Sequence, residues 1–187
     1  ELDEFQKAMY DSVQMPHRSL VVSGKPGSGR TRFIQKCIQD SNGLSFIPEG
    51  FQIKLSQKSY LDNFILQLHE GLGLSRASYE DILKLDYEHQ IAKSVSYINR
   101  IINAHSFLLI EDEMSFVLYD GTISEWGKKI ISHPAMIDSL KIFISSRVKP
   151  RYSELRAYPQ IIHINLSGFT KDERKRFFVN YCRYYNV

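Results

Sequence analysis

The sequence has little cysteine and no long apolar run, and these two absences exclude several classes of protein. Its 187 residues include only two cysteines, Cys37 and Cys182, which are too few for a disulfide framework. Both lie on the apolar side of a predicted helix, so we expect buried free thiols. No apolar run approaches the roughly 20 residues of a membrane-spanning helix, and the first residues do not form a signal peptide. We therefore expect a soluble protein of a reducing compartment that has no membrane partner.

The sequence also lacks a large excess of either positive or negative charge. The chain has 24 Lys and Arg residues against 21 Asp and Glu residues, a formal net charge of +3 at pH 7. This charge permits contact with nucleic acid but does not by itself indicate it. The six histidines show no paired helical spacing, so we expect no zinc site. A hydrophobic content of 43% is enough for one full core, and we expect a single domain over 1–187.

A glycine-rich segment at 24–31 is the strongest functional signal in the chain. It follows a predicted strand at 19–22 and precedes a helix with one apolar face. Glycines let the backbone wrap around a phosphate, and the N–H groups at the start of the helix favour negative charge. The spacing is that of a phosphate-binding loop, G-x-x-x-x-G-K-[ST]. The residues expected to bind nucleotide here are Gly24, Lys25, Pro26, Gly27, Ser28, Gly29, Arg30, Thr31 and Arg32.

The loop departs from that signature at one position, where Arg30 replaces the lysine. A lysine ammonium is a compact charge that reaches between the β- and γ-phosphates, whereas a guanidinium is longer and planar. The positive charge is therefore kept while the geometry changes. Thr31 retains the hydroxyl that contacts Mg²⁺. We expect ATP or ADP to bind with Mg²⁺, and we expect any ATPase activity to be weak.

Three carboxylates, Glu111, Asp112 and Glu113, directly follow a buried strand predicted at 107–110. Carboxylates at the end of a central strand beside a phosphate loop bind Mg²⁺ and polarise the attacking water. The register within this run is ambiguous. We assign Asp112 to the metal and Glu113 to the water as a catalytic residue, with Glu111 as the alternative.

The alternation of apolar patterns predicts an α/β fold with a five-stranded parallel sheet, covered by helices on both faces. The site should then lie at the carboxyl ends of the strands. The strands are expected at 19–22, 44–47, 107–110, 140–144 and 161–166. Helices are expected over 2–13, from the loop to 41, from a capping box at Ser59 and Asp62, from another at Ser78 and Asp81, over 87–102, over 123–131, and from Thr170 onwards.

Polar residues at the tip of the predicted fourth strand complete the expected site. Ser145 and Arg147 would face the γ-phosphate from the neighbouring strand, with Arg147 in a catalytic role or, equally, as a surface charge. Trp126 is interpreted as a core residue rather than a stacking platform for nucleic acid. The basic face of the last helix is interpreted as solvated, with DNA contact as the alternative.

Further segments resemble the initiator branch of the AAA+ ATPases, which includes origin recognition complex subunits and their loader and silencing relatives. Segment 49–53 is similar to that family's second strand, 110–114 to its apolar run plus Asp-Glu, and 167–173 to its lead into the last helix of the base. The resemblance implies an AAA+ base without lid or winged-helix domain, a nuclear rather than cytoplasmic location, other AAA+ subunits or itself as oligomeric partners, and contact with duplex DNA. Arg30, and Ser145 in place of a sensor asparagine, put hydrolysis in doubt.

The same strand ends also resemble the NB-ARC switch ATPases, STAND proteins of apoptotic and immune receptors. The segment 108–113 and the triplet Ser145-Ser146-Arg147, in place of Thr-Thr-Arg, carry this second resemblance. It implies that Arg147 senses the γ-phosphate and that nucleotide controls oligomerisation without DNA. The interval from Asp112 to Ser145 is longer than that family leads us to expect, which favours the initiator resemblance. A scaffold that has lost nucleotide is the third possibility.

Overall fold

Five strands and six helices lie along residues 17–41, 49–57 and 59–168, which the computed structural model describes, and three of the helices follow one another between the second and third strands. The strands are β1 (Ser19–Gly24), β2 (Phe51–Leu55), β3 (Leu108–Asp112), β4 (Ile142–Ser146) and β5 (Ile161–Leu166). The helices are α1 (Arg30–Ser41), α2 (Leu61–Gly71), α3 (Arg76–Leu83), α4 (Tyr87–Ala104), α5 (Glu125–Ser132) and α6 (Tyr152–Ala157). None of these helices is both long and apolar enough to cross a membrane.

The strands form one sheet in the order β2-β3-β4-β1-β5, and every neighbouring pair is parallel. β1 therefore lies inside the sheet, between β4 and β5. Because all strands run in the same direction, their carboxyl ends lie along one edge, where ligands of open α/β sheets bind. The predicted fold class is confirmed.

Side chains of β1 alternate between two apolar cores, one on each face of the sheet. Leu20 and Val22 pack with Ile34 and Cys37 of α1, whereas Val21 packs with the helices α2, α4 and α5. Cys37 is a buried free thiol, as predicted, and burial raises its pKa to about 12. Both faces of the sheet are therefore covered, which is the arrangement expected of a parallel sheet.

Trp126 belongs to the core, as the sequence indicated. It is 7% exposed, and its ring lies 4.9 Å from the ring of Phe64 and 5.4 Å from that of Phe116, measured between centroids. The indole is therefore covered by other aromatic rings of the same chain.

The second strand in chain order is β2 at Phe51–Leu55, which the apolar pattern did not predict. Gln52 and Lys54 are exposed on this edge strand, while Ile53 and Leu55 are buried, so its pattern alternates instead of being apolar throughout. The strand predicted at 44–47 lies outside the described residues, as do the predicted helices at 2–13 and from Thr170, and Cys182. No helix was predicted between the fourth and fifth strands, but α6 lies there.

Both predicted capping boxes are wrong by a few residues. The residue before α2 is Tyr60, which makes no capping bond through its side chain, whereas Ser59 Oγ accepts from the N–H of Ser56 at 3.0 Å. The cap of α3 is Ser75, whose Oγ accepts from the N–H of Ser78 at 3.5 Å. Serines close together offer several possible caps, and the choice depends on tertiary packing.

Arg18 fixes the start of β1 at the edge of the sheet opposite the carboxyl ends. It is 8% exposed, and its Nη1 donates to the carbonyl oxygens of Ile131 and His133, both at 2.8 Å. Its Nε and Nη2 donate to Asp138 Oδ1 at 2.8 and 2.6 Å. The guanidinium thus joins β1 to the end of α5 and the segment that follows it.

Candidate functional site

The turn between β1 and α1 has a backbone that requires glycine. Gly27 and Gly29 have φ angles of +78° and +80°, in the left-handed region that side chains disfavour. A Cβ on Gly24 would lie 2.7 Å from Ser28 Oγ and 2.9 Å from the carbonyl oxygen of Leu166. The conformation of the loop and its packing thus account for all three glycines.

The N–H groups that lead into α1 point to an anion site. The N–H of Phe33 donates to the carbonyl oxygen of Gly29 at 2.7 Å. In the part of the chain that the structure describes, no hydrogen bond uses the N–H groups of Gly27, Gly29, Arg30, Thr31 and Arg32. The buried Oγ of Ser28 has no partner either. Such unpaired donors at a helix start, together with the helix dipole, favour a phosphate.

A cavity of about 140 Å³ opens beside this helix start, at the carboxyl edge of the sheet. It is lined by Arg30, Thr31, Glu111, Asp112, Glu113, Ser145 and Arg147. These residues come from α1, the end of β3 and the end of β4, which pair directly in the sheet. The structure therefore brings the residues expected at the strand ends to the helix start. The loop residues before Arg30, and Arg32 after it, do not line the cavity.

Glu111 is the carboxylate that faces the start of α1. Thr31 Oγ1 donates to Glu111 Oε1 at 3.3 Å, and Lys54 Nζ lies 3.4 Å from Glu111 Oε2. Glu111 follows Leu109 by two residues, and Leu109 packs in the core that α1 covers. The pleat of β3 therefore directs Glu111, and not Asp112, toward the phosphate loop.

Asp112 is held within its own turn, which does not fit the metal role assigned to it from the sequence. It is 2% exposed, and its two oxygens accept four hydrogen bonds at 2.7–3.1 Å. The donors are the N–H groups of Ser115, Phe116 and Val117 and the hydroxyl of Ser146. Burial raises the pKa of Asp112, and the hydrogen bonds oppose this rise. None of these bonds joins Asp112 to Thr31. Glu111, which was the alternative assignment, has the position expected of the metal-binding carboxylate.

Two guanidinium groups line the same cavity. Arg30 Nη1 donates to the carbonyl oxygen of Gly24 at 3.0 Å, so the residue that replaces lysine turns back onto its own loop. Arg147 Nη2 lies 2.5 Å from Glu113 Oε1 in an ion pair. Burial lowers the pKa of Arg30, and the positive charge of Arg147 lowers it further, while the nearby carboxylates oppose this. The cavity thus holds the cations that a polyphosphate needs.

Two further groups near the site were missed from the sequence. Lys54, the partner of Glu111, lies on β2, and the alternating pattern of 51–55 could have revealed that strand. Ser23 Oγ lies 2.8 Å from His163 Nε2 and 2.9 Å from Asn165 Oδ1, which joins β1 to β5 just before the loop. Burial lowers the pKa of His163 to about 4, so the imidazole is neutral near pH 7.

Comparison with solved structures shows which proteins share this fold. The Aeropyrum pernix ORC2 protein, solved as ADPNP and ADP complexes, matches 97% of this chain with a TM-score of 0.54 and 12% identity. A DNA replication initiation factor matches 99% of the chain with a TM-score of 0.51 and 12% identity. The chain therefore shares the α/β fold of these two proteins. The initiator resemblance inferred from the sequence is thus confirmed at the level of the fold.

The same fold is shared with a STAND protein of Pyrococcus horikoshii that carries a tetratricopeptide repeat sensor. This match covers 89% of the chain, with a TM-score of 0.52 and 17% identity. The chain spans about half or less of these structures, namely 51%, 50% and 23% of their lengths. No family model and no curated protein matches the sequence.

Proposed function

We propose that this chain is a nucleotide-binding module in which bound ATP or ADP controls assembly with like subunits, and in which hydrolysis is weak or absent. One observation carries the proposal: the unpaired N–H groups of the phosphate loop lie beside a cavity that Thr31, Glu111 and Arg147 line. A protein of the same fold was solved with ADPNP and ADP, which supports this ligand class. Bound nucleotide would act as a ligand that shifts a population of packings.

The residues present fit a magnesium ion that is held mainly by phosphate and water. The hydroxyl of Thr31 and the carboxylate of Glu111 lie 3.3 Å apart and offer the oxygen ligands that Mg²⁺ prefers. The described residues contain no group of three or more His, Cys, Asp or Glu that could hold a metal. We therefore assign the metal role to Thr31 and Glu111 instead of Asp112. When bound, Mg²⁺ would neutralise charge on the β- and γ-phosphates.

Weak hydrolysis follows from the contacts of two side chains. Glu113, the residue expected to polarise water, is paired with Arg147 at 2.5 Å. Arg30 bonds the carbonyl oxygen of Gly24, where a lysine would extend toward the phosphates. Both groups are therefore already paired with other groups of the chain.

Titration calorimetry with ADP and with ATP in the presence of Mg²⁺ tests the proposal. We expect saturable heat with one site per chain. At nucleotide concentrations 100-fold above the dissociation constant, the free energy of unfolding should rise by about 2.7 kcal/mol, which thermal unfolding would detect. No heat and no thermal shift at millimolar nucleotide would contradict the proposal. The remaining hypothesis would then be a scaffold that does not bind nucleotide.

Arg30→Lys is expected to raise the rate of phosphate release by roughly 10- to 100-fold. This is the effect of one charge-assisted hydrogen bond gained in the transition state, about 1.5–3 kcal/mol. Arg32→Lys is the matched control, because Arg32 is the neighbouring arginine outside the cavity lining. A rate that stays unchanged in Arg30→Lys would show that the arginine does not limit hydrolysis.

A STAND-type switch is the second candidate, and the position of Arg147 in the cavity favours it. An initiator function instead predicts that the chain binds duplex DNA. Light scattering in ATP and in ADP, together with retention on duplex DNA, separates the two. Retention at low salt that falls steeply as salt rises supports the initiator. Oligomers that depend on nucleotide, without DNA retention, support the switch.

A further inference from the structure

Carboxylates outnumber guanidinium groups in the lining of the cavity. Its lining has three carboxylates and two guanidinium groups. Two of the carboxylates are compensated without using those cations: Asp112 accepts hydrogen bonds from its own turn, and Glu111 is paired with Lys54. Glu113 is the third carboxylate, and its partner is Arg147.

Arg147 therefore has two possible anionic partners, the carboxylate of Glu113 and a phosphate. The two side chains of the ion pair are 40% and 52% exposed, so both are accessible from solvent. Arg30, the other arginine in the lining, is turned to the carbonyl oxygen of Gly24. A phosphate at the strand ends would thus depend on Arg147, and it would compete with Glu113 for the charge of that guanidinium.

The number of phosphates decides whether this displacement is needed. The unpaired N–H groups lie at the start of α1, whereas Arg147 follows β4 directly. A diphosphate bound by the loop would leave the pair of Arg147 and Glu113 intact. A third phosphate that extends toward the strand ends would compete with the carboxylate for the guanidinium.

We propose that Glu113 sets the preference of this site between nucleoside diphosphate and triphosphate, because it occupies the arginine that the γ-phosphate would use. This inference rests on the nucleotide-binding function proposed above. It gives Glu113 a role in selectivity, separate from the polarisation of water expected from the sequence. In the wild-type protein, the pair favours ADP over ATP.

The effect is expected to be moderate. An ion pair between partly exposed side chains is weak, so releasing Arg147 from Glu113 adds only a little to the binding of a third phosphate. Removing the carboxylate should therefore raise the affinity for triphosphate by about three- to tenfold. The affinity for ADP should change by less than about twofold.

Calorimetry on four proteins tests this with ADP and a non-hydrolysable ATP analogue, so that turnover does not enter. The proteins are the wild type, Glu113→Gln, Arg147→Gln and the double variant. We expect Glu113→Gln to tighten binding of the analogue in the wild-type background only, since its effect acts through Arg147. Glu125→Gln is the matched control, because Glu125 is an exposed carboxylate that pairs with Lys128 outside the cavity.

Three outcomes would overturn the inference. Equal gains for ADP and the analogue would show that Glu113 does not distinguish the third phosphate. A gain that persists in the double variant, relative to Arg147→Gln, would show direct repulsion without the arginine. An unchanged affinity for the analogue in a folded Glu113→Gln protein would show that the pair does not compete. A wild type that binds neither nucleotide would overturn the proposed function as well, which separates the two failures.

Discussion

Asp112→Ala is expected to lower the free energy of unfolding by about 3–5 kcal/mol, the largest effect on stability that we predict. The variant would leave three N–H groups, those of Ser115, Phe116 and Val117, without their acceptor. It would also leave an empty space where the buried carboxylate had been. Each buried donor without a partner costs about 1–3 kcal/mol. Urea unfolding followed by circular dichroism measures the loss.

Glu111→Ala is the matched control for Asp112→Ala, because it removes the neighbouring carboxylate. Its pair with Lys54 is partly exposed, so the free energy of unfolding should change by less than about 1 kcal/mol. Its Mg²⁺-dependent nucleotide affinity should fall, since Glu111 is the carboxylate beside Thr31. The opposite pattern, with a stable Asp112→Ala that loses Mg²⁺ dependence, would restore the register first assigned from the sequence.

Gly29→Ala is expected to weaken nucleotide binding by roughly 10- to 100-fold, the loss of one or more phosphate hydrogen bonds. The φ angle of Gly29 is +80°, and alanine there costs about 1–2 kcal/mol unless the backbone rotates. Rotation would turn the N–H groups at the start of α1 away from the phosphate position. Calorimetry with ADP measures the affinity, and thermal unfolding measures the stability.

Gly73→Ala separates backbone strain from the loss of binding. Gly73 has a φ angle of +64° and, like Gly29, open space around the Cβ position, but it follows α2 away from the cavity. The free energy of unfolding of Gly73→Ala should fall by a similar amount, about 1–2 kcal/mol. Its affinity for ADP should not change. If Gly29→Ala binds ADP as tightly as Gly73→Ala does, the loop is not the phosphate site.

The buried strands were predictable because their patterns are local. β5 was predicted with its observed bounds, and β1 began where expected, because both are short and largely apolar between polar turns. The apolar pattern missed β2 because Gln52 and Lys54 are exposed and interrupt its run, although the family resemblance pointed to 49–53. The helix caps were misplaced because nearby serines offered equivalent local choices, and packing selected among them.

The candidate site was predictable as a set of residues but not in its register. β3 is apolar on both faces up to Ile110, so the sequence gives no alternation from which to assign a face to each carboxylate. The assignment depends on which side of the sheet α1 covers, which is a tertiary property. The contacts of Arg30 and Arg147 likewise depend on neighbouring loops that no local pattern encodes.

The anchoring of β1 by Arg18 makes the two ends of the sheet mechanically unequal. Four hydrogen bonds from one guanidinium hold the amino end of the strand to the end of α5 and to Asp138. At the other end, the loop keeps its N–H groups unpaired. A ligand bound at the loop would therefore meet the end of β1 that no such anchor holds, while the opposite rim stays tied to α5.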